Sequence, residues 1–390
     1  MTRVAVVGGG AIGVTAAHDM AVRGADVTLY ERGDLASGAS GRAAGIAYDA
    51  FAEDRDAAVA ARALARFREL DAAGAVSFTE CPYVWLAREG DDSAAAAIRE
   101  QVGRMRAHDR DVELFDADAL ADRFPALETD DVAVAAVARD AGVLDPASYV
   151  NAMAERAREA GVSIRTGTEV ALAEKGTTVR TPDGPEAFDA VLVATGAHSG
   201  RLLTAVGHSI AMKPYRVQAL VTGPLAVVSN DSTGEASTGG SGIPSTYDAT
   251  GGFYFRPRGG GLLVGDGTDE REFDPDEYDE NADASFCERS RERVSERVRI
   301  DGGDVTVERA WAGLCTATPD RNPLLGPVDE AGTVFVATGW HGHGFMRAPS
   351  LGETVAEQIL GGDGVNAFDP RRFDGDESFD VVEGMTVEDD

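Results

Sequence analysis

The sequence predicts an α/β fold with two domains, the first built on a parallel sheet and the second on a mainly antiparallel sheet. The first domain is indicated by an apolar run at 3–7, a glycine turn, a helical segment and a second apolar run at 27–30. A helix that starts at Asp145 leads to further strand signals at 162–165 and 190–197, which return the chain to the same sheet. The second domain is indicated by apolar or alternating stretches at 217–221, 253–255, 262–264 and 305–308.

The turn after the first strand has the residue types that a bound diphosphate requires. Gly8 allows the tight turn, Gly10 lets the backbone approach a pyrophosphate, and Gly13 lets the helix pack closely on the strand. The N–H groups and the dipole at the start of the helix favour negative charge there. Glu31 ends the second apolar run, where a carboxylate accepts hydrogen bonds from the adenosine ribose. The unit therefore predicts a Rossmann-like dinucleotide site.

The next segments alternate between glycine-rich and helical patterns. Residues 37–45 are too rich in small side chains for a packed helix, and we expect a loop that runs beside the dinucleotide. Helical periodicity covers 57–73 and 93–108, with a short strand at 84–87 between them. A further helix over 115–124 is stopped by proline.

The second half of the chain continues both layers. We expect 168–170 to continue the parallel layer, and 333–338 to be a strand followed by a glycine turn and a helix over 350–360. The Ser/Thr/Gly-rich stretch 229–252 is either a mobile lid or a surface loop, and the surface loop is favoured. Residues 374–390 carry eight acidic side chains and no basic one, and we expect this acidic tail to be disordered.

Acidic residues dominate the composition. The chain has 67 Asp and Glu against 36 Lys and Arg, for a formal net charge of −31, and its lysines are Lys175 and Lys213 alone. Such a field repels nucleic acid and anionic membranes, so the glycine turn is interpreted as a small-molecule site. Because the acidity is spread along the chain, hydration in a high-salt, halophilic cytoplasm is favoured over compositional drift.

Cysteine usage and hydropathy predict a cytoplasmic protein. Cys81, Cys287 and Cys315 are widely spaced and form no paired motif, which fits a reducing interior. No apolar run approaches the roughly 18 residues of a membrane span. His341 and His343 have no carboxylate or cysteine nearby in the sequence, so no metal site is expected.

Other segments of the chain agree with the glycine turn. An apolar strand ends at Ala194, Thr195 and Gly196, and a histidine turn at 339–346 reads GWHGHGFM. With the Tyr254–Gly259 run and the stretch from Thr318 to Gly326, these motifs resemble the FAD-dependent amine and amino-acid oxidoreductases. That family includes D-amino-acid oxidase, glycine oxidase, and sarcosine oxidase and dehydrogenase. The resemblance extends from Gly8 to about Phe373.

The resemblance implies FAD as the cofactor and a three-layer FAD-binding domain assembled from separate stretches. It places residues 1–50, 141–213 and 319–373 in that domain, and 51–140 and 214–318 in a substrate-binding domain whose antiparallel sheet covers the flavin. The residues expected to bind the cofactor are Gly8, Gly10, Ala11, Ile12, Gly13, Glu31, Arg32, Ser40, Gly41, Arg42, Val170, Thr195, Gly196, Gly342, Gly344, Phe345 and Met346.

The chemistry that follows is removal of a hydride from the carbon adjacent to the amine of a small amino acid of the sarcosine, glycine, proline or D-amino-acid type, giving an imine that hydrolyses. His343, Tyr254 and Arg256 are the catalytic candidates. Tyr254 matches a substrate-contacting tyrosine in glycine-oxidase-like proteins, and His343 is expected near the flavin or the substrate amine. Arg256 is equally well interpreted as a buried arginine that ties strands together.

The chain departs from these relatives at the positions of their usual cations. Cys315 stands where glycine-oxidase-like members have a carboxylate-binding arginine, while Met346 and Leu263 stand where sarcosine-oxidase-like members have lysines. The substrate carboxylate therefore depends on another arginine, or the substrate is not a simple amino acid. The candidate arginines are Arg216, Arg256, Arg258 and Arg347. Loss of a flavin-facing lysine also favours a dehydrogenase over an oxidase that uses O2.

Two other functions stay open. One is an FAD-dependent 2-hydroxy-acid dehydrogenase in which His343 takes the hydroxyl proton. The other is a flavin-carrying electron-transfer subunit of a larger complex, whose relay lies in a partner subunit, because the chain has no cysteine cluster for iron and sulfur. Cys315 is interpreted as a small buried thiol, since the position that links covalent flavin in some relatives falls nearer Gly313.

Overall fold

The computed structural model describes residues 1–173, 176–228, 242–300 and 304–382. In chain order, the strands β1 to β20 of these ranges are Arg3–Val7, Asp26–Tyr30, Ile46–Tyr48, Thr79–Glu80, Tyr83–Arg88, Val112–Phe115, Val132–Ala138, Ala141–Val143, Ser163–Arg165, Ala171–Ala173, Thr178–Thr181, Gly184–Ala187, Ala190–Val193, Lys213–Thr222, Ser245–Asp248, Phe253–Arg258, Gly261–Asp269, Val307–Ala317, Leu324–Pro327 and Val334–Thr338. The helices α1 to α9 are Ala11–Val22, Ala39–Arg42, Asp54–Ala72, Asp92–Ala107, Ala117–Arg123, Pro146–Glu159, Ser199–Thr204, Ala284–Arg297 and Gly344–Ile359.

A six-stranded sheet in the order β19-β20-β13-β1-β2-β9 forms the first half of the molecule. Its strands are parallel except for β19, which pairs antiparallel with β20. One face packs on α1, α3, α6 and α9, and the other packs on the three-stranded sheet β10-β11-β12. These three layers confirm the predicted α/β class, because alternating apolar strands and amphipathic helices bury a parallel sheet on both faces.

An eight-stranded sheet in the order β18-β14-β17-β16-β15-β5-β7-β6 forms the second half. All of its pairs are antiparallel except β5 with β15, which agrees with the predicted mainly antiparallel sheet. The outer face packs on α8 and α5, where Phe286 and Leu120 meet Phe253 and Phe255. The inner face is turned toward the six-stranded sheet and forms one wall of a large cavity.

The large sheets fall within the predicted domain ranges almost to the residue, since β14 begins at Lys213. Helix α3 lies in the range predicted for the substrate domain, yet its Leu64 and Phe67 pack in the core formed with α1, α6 and α9. The small sheet β3-β8-β4 also joins strands from both sets of ranges. The domain boundaries therefore stay a prediction. Among the described residues no helix is long and apolar enough to cross a membrane.

Two sequence predictions about local structure are wrong, and a third holds only in part. Residues 168–170 form no strand; they run along the cavity, where Thr168 donates its backbone N–H to the carbonyl of Glu31. The segment 37–45 lines the cavity as expected of a loop beside a ligand, but Ala39–Arg42 within it form a single helical turn, α2. Helix α9 begins at Gly344 and not at residue 350, because a proline in its second turn removes only one N–H donor.

The acidic tail is ordered over its described part, residues 374–382, which contradicts the predicted disorder there. Val381 is buried beside Tyr215 and Ala317, and Phe379 packs in the same cluster. The Lys213 ammonium lies 4.5 Å from the centroid of the Phe379 ring and donates to the Phe379 carbonyl. Apolar side chains at two tail positions thus outweigh its acidic composition. Most of the polar loop predicted at 229–252 lies outside the described residues.

Candidate active site

A cavity of about 850 Å3 lies between the two large sheets. The N-terminal glycine turn and the C-terminal histidine turn both line it, although they stand at opposite ends of the sequence. The predicted site residues on its wall are Gly8, Gly10, Ala11, Ile12, Glu31, Arg32, Ser40, Arg42, Val170, Thr195, Gly196, Tyr254, Gly342, His343, Gly344, Phe345 and Met346. Gly13, Gly41 and Arg256 are not on it.

Close backbone packing explains the glycines of the first turn. Gly8 has φ +117°, and a Cβ there would lie 2.4 Å from the carbonyl oxygen of Ala194 at the end of β13. A Cβ at Gly13 would lie 2.0 Å from the carbonyl oxygen of Gly8. Gly41 is similar, since its Cβ would lie 2.2 Å from the carbonyl oxygen of Ala36. Gly13 and Gly41 therefore shape the wall from behind, without forming part of it.

Glu31 is held in place at the end of β2. One carboxylate oxygen accepts the backbone N–H of Gly9 at 2.7 Å, and the other accepts that of Gly33 at 2.8 Å. Each carboxylate oxygen can accept more than one hydrogen bond, so the group can still receive two ribose hydroxyls. At the start of α1, Ser40 Oγ accepts the N–H of Ala11 at 3.0 Å. This donor and acceptor set fits a dinucleotide.

Threonines of β18 and the segment after it hold the histidine turn. Thr316 Oγ1 accepts the backbone N–H groups of Gly339 and Trp340, each at 3.1 Å. The buried His341 has φ 46°, and its Nε2 accepts the N–H of Thr318 at 2.8 Å. Burial lowers the pKa of His341 to about 4. His341 is therefore a neutral structural anchor for the turn.

His343 lies on the cavity wall immediately before α9. Burial, together with the nearby positive charge of Arg347, lowers its pKa to about 3. Its ring contacts Phe51 edge to face, with centroids 5.8 Å apart. At neutral pH the imidazole is therefore uncharged, with one nitrogen able to donate a hydrogen bond and one able to accept.

Aromatic side chains wall the cavity beside His343. The rings of Tyr48 and Tyr83, both on the wall, stack with centroids 4.2 Å apart, and Phe51 and Trp85 extend the stack on either side. Burial raises the pKa of Tyr48 to about 12 and raises that of Tyr83 well above its usual range. Both phenols are thus neutral, and this part of the wall carries no charge.

Tyr254 reaches the cavity from β16. It pairs with Tyr247 on one side and with Gly265 on the other. A Cβ at Gly265 would lie 2.4 Å from the Tyr254 phenol, so the glycine allows the side chain to lie on β17. The position agrees with the predicted contact between Tyr254 and a substrate, which stays a prediction.

The contacts of Arg256 favour its interpretation as a structural arginine. It is buried behind the loop 43–45 and donates to the carbonyl oxygens of Ala44 and Pro257. Burial, together with the nearby charge of Arg258, lowers the pKa of Arg256 to about 10. Its guanidinium thus ties β16 to the loop that lines the cavity.

The other candidate carboxylate anchors are also engaged, and none of them lines the cavity. Each of them forms an ion pair, with the distances measured from guanidinium nitrogen to carboxylate oxygen: Arg216 with Asp283 at 3.1 Å, Arg258 with Asp145 at 3.6 Å, and Arg347 with Asp56 at 3.0 Å. The arginines on the wall are Arg32, Arg42 and Arg201, and each of them faces a carboxylate. A substrate carboxylate would have to compete for any of these cations.

Cys315 lies on the cavity wall. Burial raises the pKa of its thiol to about 11, so the thiol is protonated at neutral pH and is a poor nucleophile. We therefore expect the flavin to be held without a covalent bond, and acid precipitation of the purified protein to release all of it. A yellow pellet after repeated washing would contradict this expectation, and Cys315→Ser would show whether this thiol is the attachment point.

Sequence reasoning missed several wall residues. Tyr48 and Tyr83 carry no local motif and meet only because β3 and β5 bring them together. Thr316 is distinguished only by its place two residues before the Thr318 motif. Asp276 and Tyr278 lie in an acidic stretch that looks like a solvated connection, and the cavity reveals their contact with the site.

Comparisons with known proteins agree with this fold. The FAD dependent oxidoreductase family matches residues 3–358. Monomeric sarcosine oxidase from Bacillus sp. (strain NS-129) is 25% identical over 366 residues, covering 91% of this chain and 92% of that protein. Glycine oxidase from Geobacillus kaustophilus (strain HTA426) is 27% identical over 372 residues, covering 91% and 92%. The structure of L-proline dehydrogenase from P. horikoshii is similar with a TM-score of 0.82 and 25% identity, covering 95% of this chain and 97% of that one.

Proposed function

Because the chain belongs to the FAD dependent oxidoreductase family, we propose that it removes a hydride from the carbon next to the amine of a small amino acid, of the sarcosine, glycine, proline or D-amino-acid type. FAD is the cofactor of this family. The observation that carries the proposal is that one and the same cavity is lined by the glycine turn and Glu31 and by His343, Tyr48 and Tyr83.

The residues present fit FAD. We assign the diphosphate to the glycine turn and the start of α1, where N–H groups and the helix dipole favour anions, and the ribose to Glu31. When bound, the flavin supplies the two-electron acceptor for the hydride. Of the cofactor-binding residues predicted from the sequence, we propose that those on the cavity wall contact FAD directly. Gly13 and Gly41 shape the wall from behind.

The protein's own task is to hold the donor carbon in place and keep the amine uncharged. Tyr48 and Tyr83 form a neutral, buried wall, and burial disfavours the charged ammonium form of a bound amine. Neutral His343 can accept a hydrogen bond from the amine N–H and fix the direction of its lone pair. Tyr254 is the proposed contact on the opposite sheet.

We favour a dehydrogenase over an oxidase. Met346 lies on the cavity wall where sarcosine-oxidase-like relatives place a lysine, and Leu263 is fully buried beneath Trp311 and Ala219. A cation near the flavin would stabilise developing superoxide, and neither side chain supplies one. The electron acceptor is then a molecule or partner subunit other than O2.

A 2-hydroxy acid is the weaker substrate class. Removal of its hydroxyl proton needs a base, and the pKa of about 3 makes His343 a poor one. A flavin-carrying subunit of a larger complex is the other candidate, and a stable second subunit with its own redox centre in purified material would favour it.

The test is anaerobic mixing of the purified protein, in concentrated salt, with a panel of amino acids, amines and 2-hydroxy acids. We expect amino acids to bleach the flavin, and His343→Asn to slow bleaching without abolishing it. Bleaching by hydroxy acids that His343→Asn abolishes would support the alternative. In air, hydrogen peroxide formed in proportion to substrate used would overturn the dehydrogenase assignment.

A further inference from the structure

A connection between β17 and α8 forms part of the cavity wall. We call residues 273–283 the strap. Its two ends are tied to the eight-stranded sheet: Phe273 donates its N–H to the carbonyl of Pro214 at 2.9 Å, and the carbonyl of Glu280 accepts the N–H of Ala312 at 2.8 Å. The strap residues that line the cavity are Pro275, Asp276, Tyr278 and Glu280.

The middle of the strap is fastened to the opposite side of the cavity by charge. The carboxylate of Asp276 lies 3.0 Å from His198 Nε2 and 3.5 Å from the guanidinium of Arg32, and it pairs with Arg201. Arg201 also pairs with Asp274. Arg32 follows Glu31 at the end of β2, and His198 and Arg201 follow Gly196 after β13. Asp276 therefore bridges the two loops that flank the glycine turn.

A second fastening lies nearer the centre of the cavity. Arg42 of α2 donates to the Tyr278 hydroxyl at 3.3 Å and to the Glu280 carboxylate at 2.8 Å. Both ends of the strap therefore lie on the eight-stranded sheet, and its middle reaches across the cavity. There it contacts Arg32, Arg42 and Arg201, which line the wall on the side of the glycine turn.

The contacts that hold the middle of the strap are weak enough to break without unfolding the protein. The side chains of Asp276 and Arg201 are 47% and 49% exposed, so each ion pair is individually weak and accessible to water. Pro275 is buried on the cavity wall, and from Asp276 to Glu280 the strap contributes no described apolar side chain to the main cores. Opening the middle of the strap, residues 274–278, therefore costs exposed polar contacts and the burial of Pro275 and leaves both sheets intact, while the buried Arg216 holds residues 279–283 on the eight-stranded sheet.

We propose that the strap retains FAD, and that Asp276 is the positioning residue that fastens it over the nucleotide end of the cavity. The cofactor leaves the protein only after Asp276 separates from Arg32, His198 and Arg201. This inference depends on FAD as cofactor and is independent of the substrate.

The test compares rates of FAD release, followed as the rise in flavin fluorescence after dilution of the holoenzyme. Asp276→Asn keeps the shape of the side chain and removes its charge, and we expect release to be about tenfold faster. Asp269→Asn is the matched control, because Asp269 lies at the end of β17, pairs with Arg271 and does not line the cavity. Its release rate should stay within about twofold of the unmodified protein.

Equal release rates for Asp276→Asn and the unmodified protein would overturn the proposal, as would equal acceleration by Asp269→Asn. Arg201→Gln removes the same contact from the opposite wall and should reproduce the acceleration. It also serves if Asp276→Asn fails to fold. Thermal unfolding of the FAD-free forms checks for a general loss of stability. If the unfolding temperature of Asp276→Asn falls in proportion to its faster FAD release, Asp276 has a merely structural role.

Discussion

Replacing Glu31 with alanine is expected to weaken FAD binding by about 10²- to 10⁴-fold, because hydrogen bonds to a charged group contribute about 1.5–3 kcal/mol each. The substitution removes the proposed acceptor of the ribose hydroxyls. It also leaves the N–H groups of Gly9 and Gly33 without their present acceptor, so the turn that approaches the diphosphate loses its support. Titration of the FAD-free protein with FAD, followed by quenching of flavin fluorescence, measures the change.

Two further variants separate charge from hydrogen bonding at this position. Glu31→Gln keeps one acceptor oxygen and should give an intermediate affinity. Asp34→Asn changes an exposed carboxylate three residues away that does not line the cavity, and should bind FAD as the unmodified protein does. Undiminished affinity in Glu31→Ala would mean that the ribose is bound elsewhere, and the assignment of the whole glycine turn would fail with it.

Local motifs explain why much of this site was predictable from sequence. Gly8 and Gly13 are needed because carbonyl oxygens lie where their Cβ atoms would be, and such steric demands leave the same residue types in any chain with this turn. Glu31 and Thr195 follow apolar strands whose carboxyl ends meet at one edge of a parallel sheet. Short-range rules therefore place the nucleotide end of the cavity.

The substrate end depends on contacts between distant segments. Tyr48 and Tyr83 stack because β3 and β5 lie close in the folded molecule, and neither residue has a sequence neighbour that marks it. The same holds for Asp276. In the sequence it is one of many carboxylates in an acidic stretch, and only the folded structure places Arg32 and Arg201 opposite it. Composition cannot distinguish a solvated acidic connection from one that closes a cavity.

Two helices, α9 and α8, were predicted wrongly or missed for local reasons. The predicted helix started at residue 350, yet α9 begins at Gly344 and contains Pro349 in its second turn. No helix was predicted over Ala284–Arg297, although Phe286 and Val294 are buried at helical spacing. The remaining buried positions of that helix are polar, and the apolar period was therefore too weak to detect.

Asp248 at the end of β15 is expected to be the most destabilising single carboxylate to remove. It is fully buried and accepts hydrogen bonds from Arg297 at 2.9 Å, from Arg88 at 2.9 Å and from the N–H of Gly251 at 2.8 Å. Arg297 is itself only 1% exposed, so its charge cannot be hydrated where it lies. The network fastens α8 to the back of the sheet whose front carries Tyr254.

Asp248→Ala should lower the free energy of unfolding by about 3–5 kcal/mol, because it removes the buried partner of Arg297 and leaves that buried guanidinium with the half-exposed Asp131 as its remaining carboxylate. Urea unfolding in concentrated salt, followed by circular dichroism, measures the loss. Asp111→Ala is the matched control: its pair with Arg139 spans 3.2 Å between half-exposed side chains and should contribute less than about 1 kcal/mol. If both substitutions shift the unfolding midpoint equally, the buried network is not what holds α8 against the sheet. If Asp248→Ala alone shifts it, the wall that carries Tyr254 depends on an ion pair on its opposite face.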